Sequence, residues 1–258
     1  MKRLLIIKAG TTFTSLASRL GDFDTWVINH MYYAGDIISV VDGCSGCELP
    51  DSRRYGGIIV TGSHSMVTDG EPWSEQLAAW IHQAVTQEIP LLGICYGHQL
   101  LAYAMGGTVG YHTGGMEIGT VRIELNSAGI HDPLLGTLPA SFYAHVCHSQ
   151  TVLQLPESAT VLASNAFDPH HAFAVGTCAW GVQFHPEFDA EIVSEYITEM
   201  ASDLEKMGIQ AVSCYAGVRQ TLRSNQLLEA FFNFCKQRDN EKGTDWKFSS
   251  DRCPEVSV

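Results

Sequence analysis

The sequence predicts an α/β fold in which a mostly parallel, doubly wound sheet is flanked by helices and carries a small antiparallel extension. Two observations support this prediction. In the first half of the chain, short β-branched and apolar runs alternate with amphipathic segments, which is typical of parallel strands joined by right-handed helical crossovers. From residue 108 to 182, by contrast, short strand-like runs follow one another with only turns between them, which indicates antiparallel pairing.

Apolar runs in the first half predict the parallel strands. Leu4–Ile7 leads into a glycine-containing loop, Gly56–Gly62 is rich in β-branched residues, and Pro90–Ile94 is almost wholly apolar. Thr25–Asn29 and Asp36–Val41 are predicted as two further short strands. Ligands of doubly wound sheets bind beyond the carboxyl ends of the strands. We therefore expect the functional site in the loops that follow the runs at 56–62 and 90–94.

Helices are predicted where apolar residues recur at three- and four-residue steps. Pro72–Glu88 shows this spacing and begins with a proline, which the first turn of a helix tolerates. Gly97–Met105, Ala190–Met207 and Arg219–Gln237 are also predicted to be helical. Antiparallel strands are predicted at four places in the middle of the chain: Thr120–Leu125, Ser141–His145, Thr160–Ala163 and Ala172–Val175.

Composition and charge argue against several classes of protein. The 258 residues include 15 Lys and Arg against 28 Asp and Glu, and the net charge of −13 disfavours nucleic acid and anionic membrane surfaces as partners. No apolar run is long enough to span a membrane, and the N-terminus lacks a signal-peptide core, so we expect a soluble, cytoplasmic protein. Without a visible linker, residues 1–237 are predicted as one domain and residues 238–258 as a polar C-terminal tail.

Cysteine and histidine placement does not predict a metal site. The eight cysteines are expected to be reduced, because the chain is long enough for a large core and shows no export signal. Cys44 and Cys47 form a CxxC without a second ligand pair, which favours a turn over a metal or redox role. His145, His170 and His171 are expected at strand ends. We therefore expect neither a metal nor another cofactor.

A candidate nucleophile lies between the strand at 90–94 and the helix at 97–105. Gly93, Cys95 and Gly97 have the spacing of a nucleophile elbow, in which glycines two residues to either side avoid clashes in a strained turn. The N-terminus of the following helix supplies free N–H groups and a dipole that favour a thiolate and an oxyanion. This context predicts that Cys95 is reactive.

A candidate base for this thiol lies near residue 185. His185 and Glu187 are two positions apart after a short apolar strand, so in an extended segment their side chains project to the same side. Pro186 keeps His185 out of the helical region. A carboxylate that orients an imidazole is what a nucleophilic cysteine requires. The spacing alone is equally compatible with His185 capping a turn and Glu187 beginning a helix.

Three stretches together resemble the class I, or triad-type, glutamine amidotransferase family. They are the elbow at 93–99, the strand end at 60–63 and the segment at 181–187, in the chain order of that family. The resemblance covers roughly residues 1–237 and is strongest to the amidotransferase domain of GMP synthetase and its stand-alone relatives. It implies the fold of that family. Because only about twenty residues follow the last predicted helix, we expect no ATP-pyrophosphatase domain after it.

The resemblance implies a role for each matching residue. Cys95 would attack the side-chain amide carbon of glutamine, form a thioester and release ammonia. His185 would act as the general base and then the general acid, oriented by Glu187. The backbone N–H groups of Ser63 and Tyr96 would form the oxyanion hole.

The resemblance also implies the substrate contacts. Gly62 and Gln99 would contact the bound glutamine. The segment of His148, Ser149 and Gln150 would line the same pocket and read the carboxylate and amine of the amino acid.

Two positions near the expected pocket stand apart from these roles. Family members commonly have Gly-Gly-Pro after the oxyanion strand, where this chain has Gly62, Ser63 and His64. His64 is expected to be a surface-loop residue, with a second proton-carrying group as the less favoured alternative. Glu117 resembles part of a family loop that borders the pocket.

Several functions are compatible with these motifs. The first is glutamine hydrolysis, with ammonia released or passed to an acceptor through a synthetase partner subunit. The second is γ-glutamyl hydrolysis, since the same chemistry cleaves a γ-amide with a larger leaving group. A catalytically inactive regulatory subunit is a third, disfavoured by the intact Cys95, His185 and Glu187. A dienelactone-type thiol hydrolase is disfavoured because it places the acid before the histidine, not two residues after it.

Overall fold

The computed structural model describes residues 2–31, 37–46 and 48–241. Asp36, Cys47 and the predicted tail from residue 242 onward lie outside the described residues. The strands are β1 (Arg3–Lys8), β2 (Ile38–Asp42), β3 (Tyr55–Val60), β4 (Leu91–Ile94), β5 (Thr108–Tyr111), β6 (Glu117–Leu125), β7 (Ser141–His148), β8 (Gln150–Gln154), β9 (Ala159–Ser164), β10 (Ala172–Val175) and β11 (Ala179–Val182). The helices are α1 (Thr14–Leu20), α2 (Phe23–Asn29), α3 (Pro72–Thr86), α4 (Tyr96–Ala104), α5 (Ser127–His131), α6 (Ala190–Glu199), α7 (Ala201–Lys206), α8 (Ala211–Gly217) and α9 (Leu222–Glu241).

A central mixed sheet confirms the predicted fold class. Within the described residues its strand order is β2-β1-β3-β4-β11-β10-β9-β6-β7. The five strands from β2 to β11 pair in parallel, and those from β10 to β7 add to them in antiparallel fashion. Strands β5 and β8 form a separate antiparallel pair. The antiparallel extension predicted between residues 108 and 182 is therefore present.

Two apolar layers enclose the sheet, and the alternation of side chains along β1 shows why. Leu4 and Ile6 belong to the cluster on one face, which includes residues of α9. Leu5 and Ile7 belong to the cluster on the other face, with residues of α3 and α4. Successive strand residues point to opposite faces, so a strand buried on both sides must be apolar at every position. Because the strands themselves are apolar, the polar residues of a site lie in the loops at their carboxyl ends.

One predicted strand is wrong. Thr25–Asn29 lies in helix α2, which begins at Phe23. The Asp22 carboxylate accepts a hydrogen bond from the Phe23 N–H and caps the helix. The buried side chains are Phe23, Trp26 and Val27, which have helical spacing. Tertiary burial of that face outweighs the strand preference of the local Thr-Trp-Val-Ile composition.

The remaining differences concern boundaries and short elements. The predicted helix at 190–207 is divided at Met200 into α6 and α7, and the last helix extends to Glu241. The sequence did not indicate α1, α5 or α8, which are each seven residues or shorter. Amphipathic periodicity is weak evidence over so few residues. Among the described residues, no helix combines the length and apolar character needed to cross a membrane.

Helix α4 lies unusually close to the central strands, because Gly97 allows backbone contact there. A Cβ atom on Gly97 would lie 2.4 Å from the carbonyl oxygen of Val60 in β3. Any side chain at this position must therefore displace the helix from the sheet. This close packing places the start of α4 at the carboxyl ends of β3 and β4.

We expect Gly97→Ala to lower the free energy of unfolding by about 3 kcal/mol, because the added methyl group meets backbone and not a movable side chain. Gly217→Ala is the matched control, since a Cβ atom there meets no atom within 4 Å. The free energy of unfolding of Gly217→Ala should lie within about 0.5 kcal/mol of that of the parent protein. Urea unfolding of the three proteins measures both effects, and equal stability of Gly97→Ala and the parent would contradict the packing argument.

Candidate active site

Cys95 lies in a strained turn between β4 and α4. Its backbone has φ +50° and ψ −98°, and Glu88 is the other described non-glycine residue with positive φ. A Cβ atom on Gly93 would lie 2.3 Å from the carbonyl oxygen of Gly97, so the turn closes only with glycine there. Such backbone conformations cost about 1–3 kcal/mol and are held by the surrounding structure. Cys95 is thus held at the end of the sheet with 5% of its surface exposed.

His185 and Glu187 follow β11, the strand next to β4. The His185 N–H donates to the carbonyl oxygen of His145 at 2.8 Å, which ties this segment to β7. His185 Nδ1 lies 2.7 Å from Glu187 Oε1, and both side chains are buried. The ring of Phe188 stacks on the imidazole with centroids 4.0 Å apart. The imidazole is therefore oriented by a carboxylate on its edge and by an aromatic ring on its face.

The electrostatics of His185 link it to Cys95 as well as to Glu187. Burial alone would lower the pKa of His185, but the charges and hydrogen bonds of Glu187 and Cys95 raise it to about 10. The Cys95 thiol also lies 3.8 Å from the carbonyl oxygen of Cys147 at the end of β7. The structure thus brings Cys95, His185 and Glu187 together, and its charge distribution favours a protonated imidazole beside the sulfur.

Ser63 and Tyr96, the predicted oxyanion-hole residues, lie in the loops that follow β3 and β4. Tyr96 is the first residue of α4, where backbone N–H groups have no intrahelical acceptor. Its hydroxyl lies 2.6 Å from Ser74 Oγ, which holds the side chain away from the elbow. Ser63 Oγ accepts a hydrogen bond from the N–H of Ser65 at 3.0 Å. The side chain of Ser63 is thus engaged within its own loop.

Gly62, predicted to contact the substrate, lies against the imidazole. A Cβ atom on Gly62 would approach His185 Cε1 to 3.0 Å. That separation is tighter than about nine in ten real Cβ contacts, so glycine allows the segment after β3 to lie beside His185. The structure places Gly62 next to the His185 imidazole.

Gln99 holds other parts of the site together. Its side-chain amide donates to the backbone oxygen of Gln150 at 2.8 Å and to Gln183 Oε1 at 3.0 Å. Gln150 Nε2 in turn donates to Thr68 Oγ1 at 2.5 Å. Gln99 and Gln150 are both buried. The segment of His148, Ser149 and Gln150 is therefore anchored to α4 beneath the elbow.

His64 lies in an aromatic cluster near the triad. Its ring centroid is 4.5 Å from that of Phe13, and its Nε2 is 3.1 Å from the hydroxyl of Tyr196. Burial, followed by the charge of His185, lowers the pKa of His64. His64 therefore contacts Phe13 and Tyr196, and the charge of His185 disfavours protonation of its ring.

Glu117 joins a buried cluster that the sequence did not indicate. Glu117 Oε2 lies 3.1 Å from both His148 Nε2 and His171 Nε2, and its Oε1 accepts from Asn165 at 2.7 Å. Burial alone would raise the pKa of Glu117, but the two histidines lower it to about 2. These residues come from distant parts of the chain, so no local spacing could reveal the cluster.

Comparison with known proteins identifies the family. Residues 36–200 match the family model described as Glutamine amidotransferase class-I. The chain belongs to this family. The amidotransferase is 31% identical over 172 residues to gamma-glutamyl peptidase 5 of Arabidopsis thaliana, which is 65% of this chain and 67% of that protein. It is also 31% identical over 190 residues to a GMP synthase of Porphyromonas gingivalis, covering 72% of this chain but 33% of the synthase.

Solved structures share the fold of the amidotransferase. A glutamine amidotransferase from Thermotoga maritima superposes with a TM-score of 0.69 at 21% identity, covering 92% of this chain and 98% of that chain. One from Methylobacillus flagellatus has a TM-score of 0.67 at 22% identity and covers 98% and 99% of the two chains. At such identities the likeness concerns the fold.

His145 is a buried titratable group inside β7 and not at a strand end as predicted, because β7 continues to His148. Its side chain is fully buried, with Nδ1 3.1 Å from Thr120 Oγ1 and no partner for Nε2 among the described residues. Burial lowers the pKa of His145 to about 4, with a smaller opposing effect of Asp189 and a reinforcing one of His185. The folded protein thus holds this ring neutral at pH values where the unfolded chain protonates it.

We expect His145 to make the amidotransferase sensitive to mild acid. The pKa is depressed in the folded state, so the stabilisation is complete above the unfolded pKa of about 6.5 and is lost as the pH falls toward 4. Between pH 7 and pH 5, the free energy of unfolding should fall by about 2 kcal/mol less in His145→Gln than in the parent. Urea unfolding at both pH values tests this. Replacement of the exposed His131 by Gln should leave the fall in unfolding free energy the same as in the parent. A fall as large in His145→Gln as in the parent would contradict the prediction.

Proposed function

We propose that this amidotransferase hydrolyses the side-chain amide of glutamine through a thioester on Cys95. The observation that carries the proposal is the buried contact of Cys95 with an imidazole whose other nitrogen lies 2.7 Å from Glu187. Family membership supports the same chemistry. The three side chains meet at the carboxyl ends of neighbouring strands, where sheets of this type bind their ligands.

The reaction would proceed in two balanced halves. The Cys95 sulfur attacks the amide carbon, and His185 then gives its proton to the departing nitrogen, so that ammonia leaves and a γ-glutamyl thioester remains. In the second half, His185 takes a proton from water as the water attacks the thioester. The C–S bond breaks, glutamate leaves, and the proton returns to the Cys95–His185 pair. Glu187 stabilises the imidazolium and keeps its Nδ1 proton in place.

Each half passes through a tetrahedral oxyanion. The N–H groups of Tyr96 and Ser63 are our proposed donors to it, because Tyr96 begins α4 and Ser63 directly follows the glycine that lies beside His185. Donors fixed in advance in a site that excludes water need no reorganisation during the reaction. We further propose that Gly62, Gln99 and the segment of His148, Ser149 and Gln150 form the substrate pocket. Gln99 would act there by anchoring that segment.

A γ-glutamyl peptide is the second candidate substrate. It is favoured by the similarity to Arabidopsis proteins named gamma-glutamyl peptidases, and four of these are 29–32% identical to this chain. The chemistry at Cys95 would be unchanged, and the leaving group would be the amine of an amino acid in place of ammonia. A synthetase partner that accepts ammonia is supported by the similarity to GMP synthase, of which the chain covers 33%.

Substitution of the triad tests the proposal. We expect Cys95→Ala to reduce glutamate release at least about 10³-fold, and Glu187→Gln to reduce kcat by about 10²–10⁴-fold with little change in KM. The neutral amide of the second variant no longer balances the imidazolium charge. Cys214→Ala, a change at a partly buried cysteine of α8, should retain full activity. Glutamate is measured with glutamine and with γ-glutamyl dipeptides as substrates.

The same assay separates the substrates. A higher kcat/KM for glutamine, with ammonia released in equal amount, supports the first candidate, and a higher value for a dipeptide supports the second. Absence of glutamate from every γ-glutamyl substrate would refute both and favour a regulatory subunit. A partner synthetase would be indicated by glutaminase activity that increases when the partner is added.

Selective alkylation is expected at the elbow. A chloroketone analogue of glutamine should modify Cys95 alone among the eight cysteines, because the pocket would orient it toward a sulfur beside the His185 imidazolium. Burial raises the pKa of the Cys147 and Cys235 thiols, which disfavours their thiolates. Peptide mass mapping with and without excess glutamine measures the selectivity. Modification spread over several cysteines would contradict a single activated thiol.

A further inference from the structure

The cluster of Glu117, His148 and His171 lies near the catalytic residues but shares none of them. Glu117 begins β6 and is opposite His148, the last residue of β7. His171 directly precedes β10, whose first residue pairs with the last residue of β11. All three therefore lie at the sheet end that carries Cys95 and His185. Their side chains are buried, with 9%, 1% and 0% exposed.

Both ring nitrogens of His148 face oxygen atoms. Its Nδ1 lies 3.0 Å from the backbone oxygen of Gln150, which is an acceptor, so Nδ1 carries a proton. A neutral ring then has a lone pair on Nε2, which faces the Glu117 carboxylate at 3.1 Å. In that tautomer two acceptor atoms face each other at 3.1 Å, an arrangement that a cation between them would satisfy.

The donor set suits a metal cation. One imidazole nitrogen from each histidine and one carboxylate oxygen all lie within 4.8 Å of one another. Ligand atoms of a tetrahedral zinc site are about 3.3 Å apart when the bonds are about 2.0 Å. The carboxylate oxygen is 3.1 Å from each imidazole nitrogen, close to that spacing. Two histidines and a carboxylate are ligands that Zn²⁺ and similar divalent ions accept.

The surroundings of these atoms resemble the outer shell of a metal site. The second oxygen of Glu117 accepts a hydrogen bond from Asn165 at 2.7 Å, and the second nitrogen of His148 is held by the Gln150 carbonyl. Outer contacts of this kind fix the orientation of ligands and the tautomer of ligating histidines.

We propose that Glu117 Oε2, His148 Nε2 and His171 Nε2 bind a divalent transition-metal ion of the Zn²⁺ type. The ion would join the ends of β6 and β7 to the start of β10. It would also hold the segment from Cys147 to Gln150, whose first carbonyl lies 3.8 Å from the Cys95 thiol. In this position the ion would have a structural role. The proposal of a metal site does not depend on the proposed hydrolysis of glutamine.

Cobalt binding by the full chain tests the proposal. The protein is freed of metal with a chelator, carries Cys95→Ala to remove the reactive thiol, and is titrated with Co²⁺. We expect one equivalent to bind with visible d–d absorption and without the near-ultraviolet sulfur-to-metal band that cysteine ligands would produce. Glu117→Gln and His171→Gln should each weaken binding more than about 100-fold, because each removes a ligand and not merely an outer contact.

The matched control is His170→Gln, which changes the neighbouring histidine. The His170 ring contacts the backbone oxygen of Val152 and not the cluster, so its variant should bind Co²⁺ like the parent. Zn²⁺ should raise the Tm of the parent and of His170→Gln but not that of the two ligand variants, with circular dichroism confirming that each variant is folded. Should Glu117→Gln fail to fold, His171→Gln decides.

Three results would overturn the proposal. The first is no stoichiometric binding of Co²⁺ by the parent, in which case the cluster is held by hydrogen bonds alone. The second is binding of equal strength by all variants, and the third is a sulfur-to-metal band that places the ion on cysteines.

Discussion

The close approach of helix α4 to the central strands is the constraint on which the site depends. Gly93 and Gly97 leave no space for a Cβ atom against the neighbouring backbone, so the chain can turn from β4 into α4 within a few residues. That turn forces Cys95 to positive φ and fixes its sulfur at the sheet end. The local conformational cost is offset by the packing of β4 and α4, which is why the strained residue lies in a buried part of the fold.

The position of Cys95 then determines what the neighbouring strands must supply. Strand β11 pairs in parallel with β4, so the residues that follow each strand come together, and His185 arrives beside the thiol. Its backbone is also bonded to His145 in β7, which joins the parallel and antiparallel parts of the sheet at the site. Because His185 is buried, its charge must be matched locally, and Glu187 provides that match.

Buried charge is unusually concentrated at this end of the sheet. His185 with Glu187 and His148 with His171 and Glu117 are two separate clusters, each with a carboxylate that accepts from an imidazole. Gln99 is bonded to the backbone between them and to Gln183. The hydrogen bonds of Gln99 and His148 to the backbone oxygen of Gln150 restrict the segment from His148 to Gln150.

The sequence by itself determined the parts that depend on short spacing. The elbow around Cys95 and the pair of His185 and Glu187 follow from patterns within about ten residues, since glycine placement and the i to i+2 relation are local properties. The fold class follows from the order of such local patterns along the chain. Local pattern failed at Thr25–Asn29, where Asp22 and a buried face made a helix of residues with strand preference.

Only the tertiary structure decided the rest. Glu117, His148 and His171 are 31 and 23 residues apart along the chain and meet because the antiparallel extension brings β6, β7 and β10 to one end. The position of Gln99 beneath the elbow and the contact of His64 with Tyr196 have the same origin. Contacts between distant residues depend on strand order, which local sequence does not encode.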